Sequence, residues 1–274
     1  MKNFFLVTNA SKDADGSHGR HLREMIEIHG GCVTGEAFSA VDENGNYVYL
    51  SNESIPEGTE AIFSLGGDGT FIHVLKEMHG KDIPVFGINF GTLGFLTEVQ
   101  GTQMEEAIEK IMADSFEITE HIMLLGKVER NGKTVCTGLA LNDVVLNRSL
   151  STGIANFDVY IDGAFLNNYD ADGLIIATPI GSTGYNLSAG GPVVQPTAEI
   201  ILVTPLSAHT LNSRSIVFPA NVNVDVVLKE STKKIPQKAY VTFDGENYCR
   251  LYEGDVIKIK MSRDHARILR TSKD

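Results

Sequence analysis

The chain has 274 residues, of which 42% are hydrophobic, so its length fits one large or two ordinary domains with a substantial core. Its formal net charge is −12 at pH 7 and it has no long basic run, which argues against a nucleic-acid or anionic-membrane partner. Its three cysteines lie far apart and lack metal-type spacing, which favours a reduced, cytoplasmic protein. No apolar run reaches roughly eighteen residues and the first residues lack a signal-peptide pattern, so we expect no membrane span.

The chain opens with elements typical of an α/β domain. Asn3 to Thr8 predicts a buried strand of a parallel sheet, and Ser17 to His29 predicts an amphipathic helix with His29 on its inner face, which Gly30–Gly31 ends. The histidines of this helix lack a carboxylate pattern such as HExxH, so we predict no metal site there. A later stretch has partial calcium-loop spacing, but Tyr47 replaces the glycine that an EF-hand needs, and a turn at Asn44–Gly45 is the preferred interpretation.

A glycine-rich loop, GGDGT at 66–70, follows a short apolar strand and precedes a helical stretch at Phe71 to His79. Strand, tight loop and helix N-terminus together direct backbone N–H groups at one point, which suits a phosphate. A carboxylate would repel that phosphate, so Asp68 is expected to act on a hydroxyl proton or a metal beside it. The alternative is an ordinary strand-to-helix turn in which Asp68 caps the helix.

A second glycine-rich loop, GINFGTLGFL at 87–96, continues from a predicted buried strand at Ile83 to Asn89. Its glycine spacing differs from GxGxxG, so it is no Rossmann fingerprint, but the carboxyl ends of strands in open α/β sheets are where ligands bind. Phe95 is expected either to line a base or ribose pocket or to pack in the core. A helix at Met104 to Ala113 follows.

Helical periodicity stops near Phe116 and alternating strands follow, so we divide the chain into an α/β domain at 1–115 and a β-rich domain at 116–274. Turn dipeptides at 131–132, 162–163 and 244–245 predict hairpins, the first of them between strands at 122–129 and 134–146. Further strands of the β-rich domain are expected at Val222–Leu228, Ala239–Phe243, Val256–Met261 and Ala266–Leu269.

Two segments of the β-rich domain are polar where a core would be apolar. Asn142 and Asp143 interrupt the run LNDVVL at 141–146, so they need hydrogen bonds from a ligand ribose or amide, or belong to a bulge or turn. The segment DGLIIATPIGSTGYNLSAGGP at 172–192 combines glycines, hydroxyl side chains and the stacking face of Tyr185, which is typical of a polar ligand loop. No GxSxG elbow surrounds its serines, so a serine nucleophile is not expected.

These motifs occur together and in this order, and the set resembles bacterial NAD kinase over most of the chain. Diacylglycerol and sphingosine kinases share GGDGT, whereas the 172–192 segment makes the resemblance specific. The resemblance implies an α/β amino-terminal domain and a β-rich carboxyl-terminal domain with the active site in the cleft between them. The extreme carboxyl terminus is then expected to pack back on the first domain.

The resemblance also implies a reaction, the transfer of the γ-phosphoryl group of ATP to the 2′-hydroxyl of the adenosine ribose of NAD⁺, which yields NADP⁺. The resemblance therefore implies a phosphotransferase with an alcohol acceptor that uses Mg²⁺ together with ATP. It also implies a homo-oligomer, either a dimer or a tetramer. Whether ATP, another nucleoside triphosphate or polyphosphate is the donor is not fixed by the sequence.

The family's site residues carry over onto matching positions of this chain. Asp68 would accept or orient the hydroxyl proton, the backbone around Gly69 would hold donor phosphates, and Phe95 would pack near the adenosine. Asp172 would bind the nicotinamide end, often from a neighbouring subunit. The residues that would hold NAD are Asn142, Asp143, Thr183, Gly184, Tyr185 and Ser188.

Some positions depart from the family pattern. Asp143 and Gly184 stand where many relatives have glutamate and alanine, and both changes are small. Asp170 stands where some relatives place an arginine, so a pyrophosphate contact there is in doubt. His73 stands where many have a basic residue, and it would serve a phosphate only as a cation or a donor. Glu246 replaces a usual glutamine.

Two other functions are compatible with parts of the sequence. A kinase of a lipid or sugar hydroxyl would keep Asp68 but would have an apolar or sugar-shaped pocket in place of the 182–188 loop. A dinucleotide-binding sensor would bind NAD without consuming ATP, although the intact Asp68 and donor loop argue against it.

Overall fold

The structure is a computed structural model that describes residues 1–41, 47–48, 55–91, 94, 96–97, 99–149, 153–209, 213–230 and 236–272. It divides into two compact units, one of Met1–Glu120 with His265–Asp274 and one of His121–Asp264. In the described part of the chain, no helix is long and apolar enough to cross a membrane. The predicted turn at Asn44–Gly45 and the side chain of Phe95 lie outside the described residues.

The elements are numbered in chain order. The helices are α1 (Ser17–Ile28), α2 (Asp68–Glu77), α3 (Met104–Met112) and α4 (Tyr185–Ser188), with 3₁₀ turns at Gly101–Gln103 and Ile180–Thr183. The strands before the first hairpin are β1 (Asn3–Asn9), β2 (Cys32–Val41), β3 (Tyr47–Val48), β4 (Ala61–Gly66), β5 (Val85–Asn89), β6 (Val99–Gln100) and β7 (Glu117–His121). The later strands are β8 (Leu124–Arg130), β9 (Lys133–Ala140), β10 (Asp143–Arg148), β11 (Ala155–Ile161), β12 (Ala164–Ala171), β13 (Gly173–Ala177), β14 (Ile200–Leu206), β15 (Ile216–Pro219), β16 (Val224–Leu228), β17 (Lys238–Phe243), β18 (Glu246–Tyr252), β19 (Val256–Met261) and β20 (Ala266–Arg270).

The first unit is built on one sheet with the strand order β3-β2-β1-β4-β5-β20-β7, and β6 pairs with β5. Strands β1, β2, β4 and β5 are parallel, and β1 and β4 are continuous buried runs, as expected for the middle of such a sheet. Strand β1 lies between β2 and β4, so the chain leaves it in one direction and later continues in the other. The carboxyl ends of β1 and β4 therefore meet at a topological switch point, where ligands bind in this class of sheet.

The second unit is a sandwich of two sheets with the strand orders β15-β14-β13-β10-β17-β18 and β12-β11-β16-β19-β8-β9. One cluster of buried residues draws on both sheets, including Val144 and Phe243 of the first and Phe157 and Ile257 of the second. The opposite face of the first sheet carries a smaller cluster with Val145 and Ile175, against which Ala189 and Val194 pack. The segment after β13 is thus fixed to that face.

The three predicted hairpin turns are confirmed. Each has two successive residues with positive φ, as a two-residue turn of this kind requires: 50° and 74° at Asn131–Gly132, 49° and 79° at Asp162–Gly163, and 54° and 77° at Asp244–Gly245. They join β8 to β9, β11 to β12, and β17 to β18. Asparagine, aspartate and glycine tolerate the left-handed region, which is why these dipeptides are informative in sequence.

Three expectations need correction. The strand predicted at 134–146 is two strands in different sheets, because the backbone at Leu141 and Asn142 bonds a side chain, Asp244, rather than a neighbouring strand. Strand β20, listed in sequence with the strands of the β-rich domain, lies in the first unit's sheet and is parallel to β5, and this is the unit on which the resemblance expected the extreme carboxyl terminus to pack. His29, expected on the inner face of α1, is exposed at its C-terminal end.

Candidate functional site

The GGDGT loop forms the turn from β4 into α2. Gly67 is the N-cap residue, with φ −131° and ψ −173°, and Asp68 is the first helical residue. The side chain of Thr70 lies against Gly66 at the end of β4. A Cβ added at Gly66 would be only 2.6 Å from the Thr70 hydroxyl, so no larger residue fits there without a shift. Asn9, at the end of β1, donates a hydrogen bond from Nδ2 to Thr70 Oγ1 over 2.8 Å. The first turn of α2 is thereby tied to both strands of the switch point.

The space in front of this helix N-terminus suits an anion. A Cβ at Gly67 would meet no atom of the described residues within 4 Å, so the backbone is open on that side with respect to them. The first N–H groups of a helix lack partners within the helix, and the helix dipole adds positive potential there. A phosphate approaching Gly67 and Gly69 would find both donors and favourable charge.

The Asp68 carboxylate is held from the neighbouring loop. Its Oδ1 accepts hydrogen bonds from the backbone N–H of Thr97 at 3.3 Å and from the Thr97 hydroxyl at 3.2 Å. Gly94 lies directly on the carboxylate, and a Cβ there would overlap both of its oxygens. The alternative that Asp68 is only a helix cap gains no support, since Gly67 is the N-cap residue and Asp68 is the first residue inside the helix.

Sequence reasoning missed the polar residues at the ends of β1 and β5. Asn9 and Asn89 are buried at those ends, and Asp13 is buried in the loop that leads to α1. Asp13 accepts hydrogen bonds from the N–H groups of His18 at 3.0 Å and Gly19 at 2.8 Å, so it fixes the start of α1. The available signal was a single asparagine or aspartate just after an apolar run, which is costly to bury without partners.

His73 lies in the second turn of α2. Its side chain is 12% exposed, so it is no exposed helix histidine, and Nε2 lies 3.6 Å from Glu77 Oε1. Gly69 lies in the first turn, one residue after Asp68. The structure brings Asp68 and Gly69 together at the helix N-terminus and places His73 about one turn further along the helix.

In the second unit, Asp244 organises Asn142 and Asp143. Its carboxylate accepts hydrogen bonds from the N–H groups of Leu141, Asn142 and Asp143 at 2.8, 2.8 and 3.0 Å. The Asn142 carbonyl in turn accepts a hydrogen bond from the Thr178 N–H at 2.8 Å. The segment 141–143 and the loop after β13 are therefore packed backbone against backbone.

Asn142 carries a buried polar atom that no described residue bonds. Its Oδ1 is inaccessible to solvent and has no hydrogen-bond partner within the described residues. A buried acceptor without a donor costs about 1–3 kcal/mol, so such an atom in a folded protein calls for an explanation. A ligand N–H or O–H beside Asn142 would remove that cost.

The loop at 178–192 has two kinds of side chain: some are buried and hydrogen-bonded within the protein, and others are exposed and could contact a ligand. Ser182 and Asn186 are buried and bonded internally: Ser182 Oγ accepts from the Val194 N–H at 3.2 Å, and Asn186 Oδ1 accepts from the Thr204 hydroxyl at 2.6 Å. Ser182 is one of the hydroxyl side chains that made this segment typical of a polar ligand loop, but its hydroxyl bonds Val194 and holds the loop itself. Tyr185 is 47% exposed, Gly184 and Ser188 are exposed, and Thr183 is half-buried.

Asp170 and Asp172 lie at the other end of β13. The register pairs Asp143 with Ala177 and Asn147 with Gly173, so the five-residue β13, about 17 Å long, separates Asp172 from Asn142. Asp172 Oδ1 accepts a hydrogen bond from Arg148 Nε at 2.5 Å. Asp170 Oδ1 accepts one from Asn156 Nδ2 at 2.6 Å. One chain does not bring these two carboxylates to Asn142 and Asp143.

Two family models match the chain. Residues 9–116 match the ATP-NAD kinase N-terminal domain, and residues 141–271 match the ATP-NAD kinase C-terminal domain. The NAD kinase of Lachnospira eligens is 40% identical over 284 residues, covering 100% of this chain and 96% of that protein. The NAD kinase of Agathobacter rectalis is 39% identical over 268 residues, covering 98% of this chain and 93% of that protein.

Solved structures of the same fold are more distant in sequence. The yeast NADH kinase, solved in complex with NADH, has a TM-score of 0.80 and 22% identity, covering 100% of this chain and 84% of that chain. An NAD kinase from Archaeoglobus fulgidus, solved in complex with ATP, has a TM-score of 0.75 and 24% identity, covering 100% of this chain and 95% of that chain. At these identities the likeness establishes the two-domain fold.

Proposed function

Because this chain belongs to the NAD kinase family, it transfers the γ-phosphoryl group of ATP to the 2′-hydroxyl of the adenosine ribose of NAD⁺, and we propose which residues carry out that reaction. The donor residues are assigned to the first unit and most acceptor residues to the second. The observation that carries the assignment is the Asp68 carboxylate, held by Thr97 at the open N-terminus of α2. Family membership favours this reaction over a lipid or sugar kinase and over a sensor.

The donor phosphates are assigned to the backbone N–H groups around Gly67 and Gly69. The open space at Gly67 and the dipole of the ten-residue α2 support this assignment, and the archaeal relative was solved with ATP. Phosphoryl transfer needs positioning and charge neutralisation more than covalent chemistry, so a rigid cradle of donors is a suitable device. His73 is assigned a weaker role, as a donor to the phosphates from the second turn.

Asp68 is assigned as the group that accepts or orients the 2′-hydroxyl proton. A carboxylate at this point repels phosphate, which restricts it to a role in which it faces a hydroxyl or a cation. Mg²⁺ keeps several waters and is held by one or two carboxylates together with substrate phosphates, so Asp68 and the donor fit it without a preformed cage. Bound there, Mg²⁺ would supply neutralisation of the phosphate charge. Among the residues with described positions, no three His, Cys, Asp or Glu side chains form a metal-binding group.

NAD is assigned to Asn142, Asp143 and the exposed part of the loop after β13. The partnerless Oδ1 of Asn142 would accept a hydrogen bond from NAD, and the exposed ring of Tyr185 would stack on it. Thr183, Gly184 and Ser188 lie on the same short segment and supply further contacts. Phe95 is assigned to the adenosine from the family resemblance alone.

Asp172 and Asp170 are assigned to a neighbouring copy of the chain. The separation of about 17 Å between Asp172 and Asn142 supports supply of Asp172 from another subunit, and hence a homo-oligomer, dimer or tetramer. The Asp172–Arg148 pair would then present a carboxylate whose orientation is already fixed.

The three free cysteines support a reducing, cytoplasmic location.

The test is a turnover assay with purified protein, NAD⁺, ATP and Mg²⁺, in which an NADP-specific dehydrogenase reports the product. Asp68→Asn is expected to keep the fold and NAD binding and to lose about 10²–10⁴-fold in rate. Near-normal turnover of that variant would contradict the role of Asp68. Absence of turnover in the unaltered protein, with NAD still bound, would redirect the assay to polyphosphate as donor.

A further inference from the structure

A chain of hydrogen bonds runs from the end of β5 to the Asp68 carboxylate. From it we infer that Thr97 is a positioning residue for Asp68 and that Asn89 sets the direction of the Thr97 hydroxyl. The inference rests on the proposed function, because Thr97 acts on the reaction only through Asp68.

The three side chains are joined by short steps. Asn89 and Thr97 are 2% and 6% exposed, so solvent does not compete for their polar atoms. The Gly91 N–H donates to Asn89 Oδ1 at 2.7 Å, and Asn89 Nδ2 donates to Thr97 Oγ1 at 3.1 Å. The Thr97 hydroxyl then donates to Asp68 Oδ1 at 3.2 Å, beside its own backbone N–H at 3.3 Å.

The direction of this chain follows from the donors available. A backbone N–H can only donate, so the Asn89 atom facing Gly91 is its oxygen and the amide nitrogen faces Thr97. A threonine hydroxyl has one proton, and its oxygen here already accepts from Asn89. That proton is therefore directed at Asp68, and every donor in the chain contributes to holding one carboxylate oxygen.

Gly94 completes the constraint. Because a Cβ at Gly94 would overlap the carboxylate, the glycine backbone restricts rotation of the Asp68 side chain on the side that Thr97 does not hold. Thr97 and Gly94 together set the plane of the carboxylate at the first residue of α2. Bonds of 3.2–3.3 Å are long, as is common for catalytic groups before substrate binds, and they are expected to shorten in the complex.

Positioning of this kind affects the chemical step more than binding. A displacement of about 1 Å in a reacting group costs about 10²-fold in rate. Thr97→Val keeps the shape of the side chain and removes the hydroxyl, so kcat is expected to fall about 10- to 100-fold while KM for NAD⁺ and ATP stays within about threefold. Thr97→Ser restores the hydroxyl and is expected to recover most of kcat.

Thr34→Val is the matched control. Thr34 Oγ1 donates to the Phe4 carbonyl at 2.9 Å in the same unit, in β2 near the amino end of the sheet. Losing that hydroxyl removes one hydrogen bond, so the urea midpoint should fall while kcat stays unchanged. An equal loss of kcat in Thr34→Val and Thr97→Val would mean that the effect is general destabilisation and would overturn the inference.

A double-mutant cycle isolates the coupling. Thr97→Val introduced into Asp68→Asn should lower kcat by less than about twofold, because the group that Thr97 positions is already impaired. A full 10- to 100-fold further loss would show that Thr97 acts independently of Asp68. If Thr97→Val does not fold, Asn89→Asp serves instead: its carboxylate would take the Thr97 proton away from Asp68, and kcat should again fall at unchanged KM.

The outcomes separate the inference from the proposed function. No turnover by the unaltered protein with either ATP or polyphosphate as donor would remove the proposed function and the inference with it. Near-normal turnover of Asp68→Asn would remove the role of Asp68. Loss of turnover in Asp68→Asn with an unchanged kcat in Thr97→Val would overturn only the positioning role.

Discussion

The carboxylate of Asp244 accepts the backbone N–H of Asn142 at 2.8 Å, across about 100 residues of sequence. The same Oδ1 atom also accepts the N–H of Asp143, and Oδ2 accepts that of Leu141. A turn residue of one hairpin therefore takes the place of a neighbouring strand at the point where the chain passes from β9 to β10. Asn142 owes its position to this side chain.

Asp244→Gly should test that dependence. Glycine accepts the φ of 54° at this turn without strain, so the substitution removes mainly the three hydrogen bonds. We expect a loss of about 2–4 kcal/mol in the free energy of unfolding and a raised KM for NAD⁺. Asp162→Gly is the control, since Asp162 occupies the same turn position with φ 49° and its carboxylate bonds Asn223, not the 141–143 segment. Equal effects of the two variants on the KM for NAD⁺ would contradict the role given to Asp244.

Gly66 and Gly67 should respond differently to alanine. A methyl group at Gly66 would lie 2.6 Å from the Thr70 hydroxyl, so Gly66→Ala is expected to cost about 1–3 kcal/mol in stability. A methyl group at Gly67 would meet no atom of the part of the chain that the structure describes, so Gly67→Ala should have the stability of the unaltered chain. Its methyl group would occupy the space assigned to the donor, so KM for ATP should rise roughly tenfold. That rise corresponds to a loss of about 1.4 kcal/mol in binding free energy. An unchanged KM for ATP in Gly67→Ala would argue against phosphates at this helix end.

Glu60 should contribute stability that depends on pH. Hydrogen bonds from the backbone N–H groups of Lys2 and Asn3, at 2.6 and 2.8 Å, lower the pKa of the Glu60 carboxyl below its ordinary value of 4.5. A depressed folded-state pKa gives stability that is present above the unfolded pKa and is lost as pH falls through the folded one. Because the side chain is exposed, Glu60→Gln should cost no more than about 1 kcal/mol at neutral pH. Urea unfolding at neutral pH and well below pH 4.5 should show the difference shrinking in acid.

Cysteine labelling should be selective. Burial, and then the neighbouring Cys136 thiol, raise the pKa of the Cys249 thiol to about 12, whereas Cys32 is exposed. Since the thiolate is the reactive form, only about one Cys249 in 10⁴ is ionised at pH 8. Iodoacetamide should modify Cys32 first and reach Cys249 only on unfolding, as followed by mass spectrometry of peptides. Equal labelling rates in the folded protein would contradict this environment.

The sequence was sufficient where a local signal determines structure. The turn dipeptides at Asn131, Asp162 and Asp244 specify their own backbone conformation, and the GGDGT loop specifies a strand-to-helix turn. The family resemblance rests on such local motifs as well. These parts of the fold needed no knowledge of distant residues.

Long-range bonds could not be predicted in this way. Nothing near Asp244 in the sequence indicates that its carboxylate binds residues 141–143, and nothing near Thr97 indicates that its hydroxyl meets Asp68. Ser182 and Thr183 are adjacent hydroxyl residues. Ser182 is buried and its hydroxyl accepts a hydrogen bond from Val194, whereas Thr183 is only half-buried. Which of two similar side chains is available to a ligand depends on tertiary packing.

The position of β20 has a consequence for synthesis on the ribosome. This strand lies between β5 and β7, and its residue Ile268 pairs with Val85, roughly 180 residues earlier. The second unit, a continuous segment, can complete both of its sheets while the sheet of the first unit still lacks an inner strand. The sheet that carries the GGDGT loop, although most of it is made early, is therefore complete only after β20 has left the exit tunnel, and closing so long a loop is expected to be slow.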